Sequence, residues 1–276
     1  MSSGTAWTRE LLRELRADAY RLRAWRRFLA RSFERARATR RQRRREHRQA
    51  LLVGAVGTAG WAAAAPFRPW PALAGALWWT VVIVMLDWHL GMLEDEHGRP
   101  LPRLGVPNLL ALARVGIVPA LALASPALLA TLLIGAGLTD AVDGPLARRR
   151  GETTRLGVWL DGGADTVVLS AAAVGAARHG LLPWWVVWLV VARQAAPWLL
   201  VSAAYFIRAE APQLRRSVFG KAAGLLLFAG LLLGALRLPA ALPLIVVGAL
   251  GGLATVAVTL VRAQMVRARL WLPPPA

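Results

Sequence analysis

Apolar residues along this 276-residue chain gather into long stretches nearly free of charge, at roughly 50–66, 71–92, 108–125, 127–144, 157–177, 182–206, 219–236 and 240–261, several punctuated at their ends by proline or glycine. About 20 apolar residues carry a helix across a bilayer, so the pattern predicts an all-α integral membrane protein with eight candidate spans. The first stretch is short and rich in Gly and Ala and could form half of a re-entrant hairpin, which leaves an expected count of six to eight. Ahead of the spans, Leu11, Leu15, Leu22, Trp25, Leu29 and Phe33 recur at three-, four- and seven-residue steps, the mark of an amphipathic helix over residues 1–49. A polar, proline-bearing stretch at 93–107 reads as a linker. The expected organisation is an amphipathic segment over 1–49, two extra transmembrane helices over 50–92, the linker 93–107, a helical core over 108–265 and a tail over 266–276.

Composition sharpens this picture. With 57% hydrophobic residues and a mean hydropathy of +0.46, the chain is too apolar for a soluble domain. The absence of Cys excludes disulfides, thiol nucleophiles and Cys-based metal sites. Of the 34 basic residues only Lys221 is a lysine, and residues 1–49 hold sixteen arginines against five acids. That segment lacks the apolar core and cleavage site of a signal peptide, so it is expected to be retained. It suits an anionic lipid surface, with arginines reaching headgroups. Arg40 to Arg48 would also suit a phosphate backbone, but nothing here reads bases, and no nucleic-acid partner is expected.

Arginine between spans sets the orientation. With the N-terminus inside, Arg99, Arg103, Arg148, Arg149, Arg150, Arg155, Arg208, Arg215, Arg216, Arg267 and Arg269 share its side, against Arg68, Arg178 and Arg237 on the other. Both termini are then expected on the cytoplasmic face of the cell membrane. Trp78, Trp79, Trp184, Trp185, Trp188 and Trp198 lie near span ends and are expected as interfacial anchors. His47, His89, His97 and His179 have no partner at ligand spacing and receive no role.

The chemistry concentrates elsewhere. Four of the seven aspartates fall within 26 residues: Asp140, Asp143, Asp161 and Asp165. At 100° per residue, an i, i+3 pair lies about 60° apart on a helix and an i, i+4 pair about 40° apart. Asp140 and Asp143 therefore share one face, and Asp161 and Asp165 share another. Gly157 precedes Asp161 by one turn on that second face, leaving room for a ligand or a neighbouring helix. Two helices that each offer two carboxylates can enclose hard divalent ions, and oxygen-only ligation favours magnesium, manganese or calcium over zinc. Magnesium or manganese is expected. Ionisable groups at membrane depth are costly and functional far more often than incidental. With both termini inside, the four acids face the compartment that holds soluble nucleotides.

In full, the stretch reads Asp140, two residues, Asp143-Gly144, two residues, Ala147-Arg148, eight residues, Gly157, three residues, Asp161, three residues, Asp165. This pattern is identified as the signature of the CDP-alcohol phosphatidyltransferases, with every fixed position met. Pro107-Asn108-Leu109-Leu110 followed by Arg114 and Pro119 resembles the opening helix of bacterial members that make phosphatidylglycerol phosphate. Ala192-Arg193-Gln194 resembles an Arg-Glu turn of that family, and Gly220-Lys221 a Gly-Lys pair. The resemblance covers about residues 104–265. Gln194 departs from it where an acid is expected, and Gly224 where many relatives carry Thr.

The resemblance implies a six-helix core with a two-metal site, CDP-diacylglycerol as donor, and an alcohol acceptor whose hydroxyl displaces CMP; it leaves a homodimer open. Asp140, Asp143 and Asp161 become metal ligands, and Asp165 both a ligand and the base that takes the acceptor's proton. Gly144, Ala147, Arg148 and Gly157 become nucleotide-binding positions. For Gly144 and Ala147 the alternative is tight helix packing, and for Arg148 a role as membrane anchor. Arg114 and Arg193 lie in apolar spans and should point inward. With Lys221, and Arg208, Arg215 or Arg216, they would make a pocket for the phosphate of an acceptor such as glycerol 3-phosphate or inositol phosphate. The alternative is pairing with core acids. Two other classes of function remain open: a divalent-cation transporter lined by the acids, and a catalytically silent membrane anchor.

Overall fold

The computed structural model describes residues 3–208 and 217–270, with side chains over 7–207 and 217–260. Its helices are α1 (Ser3–Ala17), α2 (Leu22–Gln42), α3 (Arg44–Ala64), α4 (Pro69–Trp88), α5 (Val106–Gly116), α6 (Val118–Leu123), α7 (Pro126–Arg150), α8 (Arg155–Arg178), α9 (Trp184–Arg208), α10 (Val218–Ala235) and α11 (Ala241–Leu270). Among the described residues the only β-pairing is one isolated bridge, Glu94 with Pro100. Proline sits in the first turn of α4, α5, α6 and α7, where its missing N–H has no intrahelical partner to lose.

Six segments are long and apolar enough to cross a membrane: α4, α5 with α6, α7, α9 over 184–207, α10, and α11 over 241–260. The chain is an all-α integral membrane protein. Two of the eight expected spans fall short on composition. α3 opens with Arg44, Arg45, Glu46 and Arg48, and α8 carries Asp161, Gly162, Gly163 and Asp165 in its first half. α8 is nonetheless 24 residues long, about 36 Å at 1.5 Å per residue, and it packs on α5, α6, α7, α9 and α10. Surrounded by other helices, it has little need of a lipid-facing surface. Its small residues make this position attainable: Ala164, Ala172, Ala173 and Ala176 are fully buried and let neighbouring backbones approach.

The closest approach to another backbone is at Gly175, where an added Cβ would collide with the carbonyl oxygen of Leu121 in α6. Gly175→Ala is therefore expected to push α6 off α8 and to destabilise the protein by about 1–3 kcal/mol, the usual range for overpacking. Thermal unfolding in detergent would read this as a lowered midpoint, and an unchanged midpoint would show that the two helices are not held at this distance. The break between α5 and α6 has a local cause. Pro119 cannot donate to the Val115 carbonyl one turn back, and the indole Nε1 of Trp78 donates to that carbonyl instead, at 2.8 Å.

Two expectations about the front of the chain need correction, and one alternative is closed. The single amphipathic helix over 1–49 is two helices and the start of a third. Ala19 and Tyr20 take positive φ (49° and 55°), the chain reverses, and α1 folds back on α2 with Leu11, Leu12 and Leu15 buried. Ion pairs Glu14–Arg31 and Asp18–Arg27 join the two. α3 is a continuous helix of 21 residues rather than half of a re-entrant hairpin. It packs on α4 with Trp79 over Gly57, Trp61 over Gly75, and Trp79 Nε1 donating to the Gly54 carbonyl at 2.9 Å. Residues 93–107 are no free tether. Arg43 donates to the carbonyls of Leu90 and Leu93 at 3.0 and 2.9 Å and to the Glu94 carboxylate at 3.1 Å. The Leu104 amide donates to Gln49 at 2.9 Å, and the Arg155 amide to the Glu94 carbonyl at 2.9 Å. Within this stretch the Asp95 carboxylate accepts from the amides of Arg99 and His97, which hold its pKa below the usual range despite some desolvation.

Three of the tryptophans differ from expectation, and one histidine has a partner from a distant segment. His47 Nδ1 lies 2.6 Å from the buried Asp87 carboxylate, which also pairs with Arg40. Trp184, Trp185 and Trp188 are exposed, as an interfacial anchor would be. Trp78, Trp79 and Trp198 instead turn inward and donate to Val115, Gly54 and Thr166.

Candidate metal and nucleotide site

The four aspartates meet because α7 and α8 are antiparallel and joined by a short, specified turn. Gly151 takes φ +62°. The Glu152 amide then donates to the Ala147 carbonyl at 2.9 Å and the Gly151 amide to that of Arg148, which closes α7 in a Schellman motif. Thr154 caps α8 by accepting from the Gly157 amide at 2.9 Å. The last turns of α7 thereby face the first turns of α8. Carboxylate oxygens of Asp140, Asp161 and Asp165 come within 4.8 Å of one another.

Arg114, in the last turn of α5, occupies the middle. Its Nη1 donates to Asp140 at 2.6 Å and to Asp165 at 3.0 Å. Its Nη2 donates to Asp161 at 3.0 Å and to Asp143. At 3% exposure it is the most enclosed member, and its Nε has no hydrogen-bond partner among the described residues. Asp143 forms a buried floor, with its side chain 8% exposed, while Asp140 and Asp165 form an open rim at 49% and 51%. Four carboxylates against one guanidinium leave three formal negative charges. Oxygen donors alone, an open rim and that excess charge fit a hard divalent cation. The expected place of Arg114, in a pocket for the acceptor's phosphate, is thus corrected: an arginine deep in a bundle needs paired negative charge, and the packing of α5 against α7 and α8 gives it four carboxylates.

The small residues of the signature each have a neighbour. A Cβ on Gly144 would stand 3.4 Å from Arg148 Nη1, so the exposed Arg148 folds back over it. A Cβ on Gly157 would meet Asn108 Oδ1 at 2.7 Å and Thr154 Oγ1 at 3.1 Å, so this glycine admits a neighbouring helix. Asn108 is buried and donates to the Leu104 carbonyl at 2.6 Å; sequence reasoning gave it no site role, although it stands in the segment that carried the resemblance. Ala147 is half-buried, and its carbonyl closes α7. Glu152, also missed, is buried beside Gly105 and pairs with Arg103 at 2.8 Å.

Arg193 stands apart from this quartet. Its Nη1 donates to the buried Gln194 Oε1 at 2.5 Å, and its guanidinium lies between Gly224 of α10 and Gly252 of α11, where Cβ atoms would approach it to 3.4 and 2.5 Å. The two departures from the family pattern therefore meet at Arg193: Gln194 supplies an acceptor, and Gly224 supplies space. Lys221 is exposed one turn before Gly224 on α10. The side chain of Arg208, with Arg215 and Arg216, lies outside the described residues.

The sequence matches the family model for CDP-alcohol phosphatidyltransferase over residues 104–271. The chain belongs to this family. The match takes in α5 to α11, the four carboxylates and Arg114, and leaves α1 to α4 outside. Similar proteins include the CDP-diacylglycerol–glycerol-3-phosphate 3-phosphatidyltransferases of Pectobacterium atrosepticum (38% identical over 105 residues, 36% of this chain and 57% of that protein), Sodalis glossinidius (37% over 108 residues, 37% and 58%) and Yersinia pestis (38% over 91 residues, 30% and 50%). The chain thus spans between 50% and 58% of the length of these relatives. No solved structure matches it.

Proposed function

We propose that this phosphatidyltransferase-family chain moves a phosphatidyl group from CDP-diacylglycerol to the hydroxyl of a phosphorylated polyol, glycerol 3-phosphate first among them, and releases CMP. The observation that carries this reading is the convergence of Asp140, Asp143, Asp161 and Asp165 on one point around Arg114, rather than their spacing out along a path. The names of the relatives support the choice of substrates.

In this reading the acceptor's hydroxyl oxygen forms a bond to the lipid-bearing phosphorus. The bond from that phosphorus to the oxygen bridging to CMP breaks, and the electron pair leaves with CMP. Asp165, on the open rim and within reach of solvent, accepts the hydroxyl proton. Asp140, Asp143, Asp161 and Asp165 would hold two divalent cations, magnesium or manganese, which when bound neutralise the diphosphate and the departing CMP. Arg148, exposed beyond Gly144, offers a planar fork to a phosphate of the nucleotide. Arg193 and Lys221 supply positive charge for the acceptor's own phosphate. The arginines at 148–150 and 155 lie at the carboxylate end of α7 and α8, and Arg178 and Arg237 at the other, which supports a cytoplasmic site with both termini on the same side. A homodimer is not required, because every carboxylate comes from one chain.

Purified protein given magnesium, labelled CDP-diacylglycerol and a panel of glycerol 3-phosphate, inositol phosphate, glycerol and serine is expected to release CMP with a phosphorylated polyol and not with the others. Release with none of the four would overturn the reading, and release with serine alone would overturn the acceptor class.

A further inference from the structure

The helix α2 (Leu22–Gln42) has three sides, and the chain itself covers two of them. Taking Leu22 as the origin at 100° per residue, α1 lies against the side carrying Ala24, Arg27, Arg31 and Arg35. Asp18 pairs with Arg27, Glu14 with Arg31, and the Arg35 guanidinium sits 4.3 Å from the centre of the Trp7 ring. The body of the protein lies against Trp25, Phe28, Ser32 and Ala36. The Trp25 and Phe28 rings stand 5.5 and 6.3 Å from Phe206 of α9, and Trp88 of α4 donates to Ser32 Oγ at 3.1 Å. The third side holds Leu22, Leu29 and Phe33 within about 40° of one another, exposed by 76%, 53% and 46%; Phe33 closes the inner end of this side, its ring 5.7 Å from Trp88 of α4 and beneath the guanidinium of Arg40, which pairs with Asp87. Arg26 and Arg37, both exposed, edge this stripe about 40–60° round from Leu22.

The stripe also has a fixed place relative to the membrane spans. Just after α2, Arg43 grips the carbonyls of Leu90 and Leu93 in the turn that follows α4, and the next residue, Glu94, accepts from the first amide of α8. Phe206 is near the end of α9. All of these ends lie on the side of the bundle where Asp161 begins the acidic site.

We propose that this third side of α2 rests on an anionic phospholipid leaflet, the one at the carboxylate end of the spans. Leu22 and Leu29 enter the boundary between headgroups and acyl chains, and Arg26 and Arg37 reach headgroup phosphates. Apolar insertion next to arginine is the physical form of an interfacial helix, and the surplus of sixteen arginines over five acids in residues 1–49 makes a negatively charged leaflet the complementary surface. The segment lies outside the region that matches the family, so the inference stands or falls apart from the proposed reaction.

The absence of cysteine makes the test clean. Leu29→Cys in the full chain is labelled with a polarity-sensitive fluorophore and reconstituted in nanodiscs of phosphatidylcholine, with or without phosphatidylglycerol. Ala38→Cys, exposed on the side away from the stripe, is the reference. With phosphatidylglycerol, the Leu29 probe is expected to shift to the blue and to become several-fold less accessible to a water-soluble quencher than the Ala38 probe. Arg26→Gln with Arg37→Gln, or high salt, should remove that difference. Leu22→Cys serves as a second probe should the first variant fail to fold. Equal quenching at both positions in anionic discs would overturn the proposal, as would equal shielding in phosphatidylcholine alone. Shielding by an added RNA oligonucleotide but not by phosphatidylglycerol would assign the surface to nucleic acid and overturn it too.

Discussion

Replacing Arg114 by alanine is expected to cost the metal-free protein about 3 kcal/mol of stability, the lower end of the range for breaking a buried ion pair, because Asp140 and Asp165 are half-exposed and partly screened. The variant leaves four carboxylates facing one another with no countercharge inside the bundle. A divalent cation bound only to the native state stabilises it by mass action, so magnesium should recover more stability in Arg114→Ala than in the unaltered protein. Arg114→Lys should fall between the two, since a compact ammonium cannot span four partners as the guanidinium fork does. Unfolding followed in detergent, with EDTA and with magnesium, would check this. Equal midpoints for Arg114→Ala and the unaltered protein in EDTA would show that the guanidinium is not what holds the quartet together.

The second large effect is on turnover. Asp165→Asn keeps the shape of the side chain but removes its capacity to accept a proton, and CMP release is expected to fall about 10²–10⁴-fold, the range for loss of a general base. The KM for the lipid donor should move little by comparison, because the step affected is proton transfer. Activity in the unaltered protein should decline as the pH drops and the base becomes protonated, and this acidic limb should disappear from the residual rate of the variant. A rate within a few-fold of the unaltered protein would reject Asp165 as the base.

The acidic site was legible in the chain because its information is local. The i, i+3 and i, i+4 spacings set two carboxylates on one face of each helix, and Gly151 and Thr154 specify the turn that brings the faces together. Arg114 was only half legible. Its position in an apolar span showed that it needs a buried partner, but phosphate and carboxylate satisfy a guanidinium equally well, and only the packing of α5 against α7 and α8 decides between them. The reversal at 18–21 was hidden because no Gly or Pro stands there; Ala19 and Tyr20 take positive φ under the pull of the contact between α1 and α2. The inward turn of Trp78, Trp79 and Trp198 depends likewise on acceptors supplied from distant segments. α8 read as one more span by its length, whereas its small and acidic residues suit it to the middle of the bundle.

The central claim is that α7 and α8 present one shared set of carboxylates to divalent cations. Manganese titrated into the purified protein and followed by electron paramagnetic resonance tests it most directly. Saturable binding that magnesium displaces, and that is lost in Asp161→Asn with the fold retained, is the predicted result. Manganese bound equally by the unaltered protein and by Asp161→Asn would contradict it.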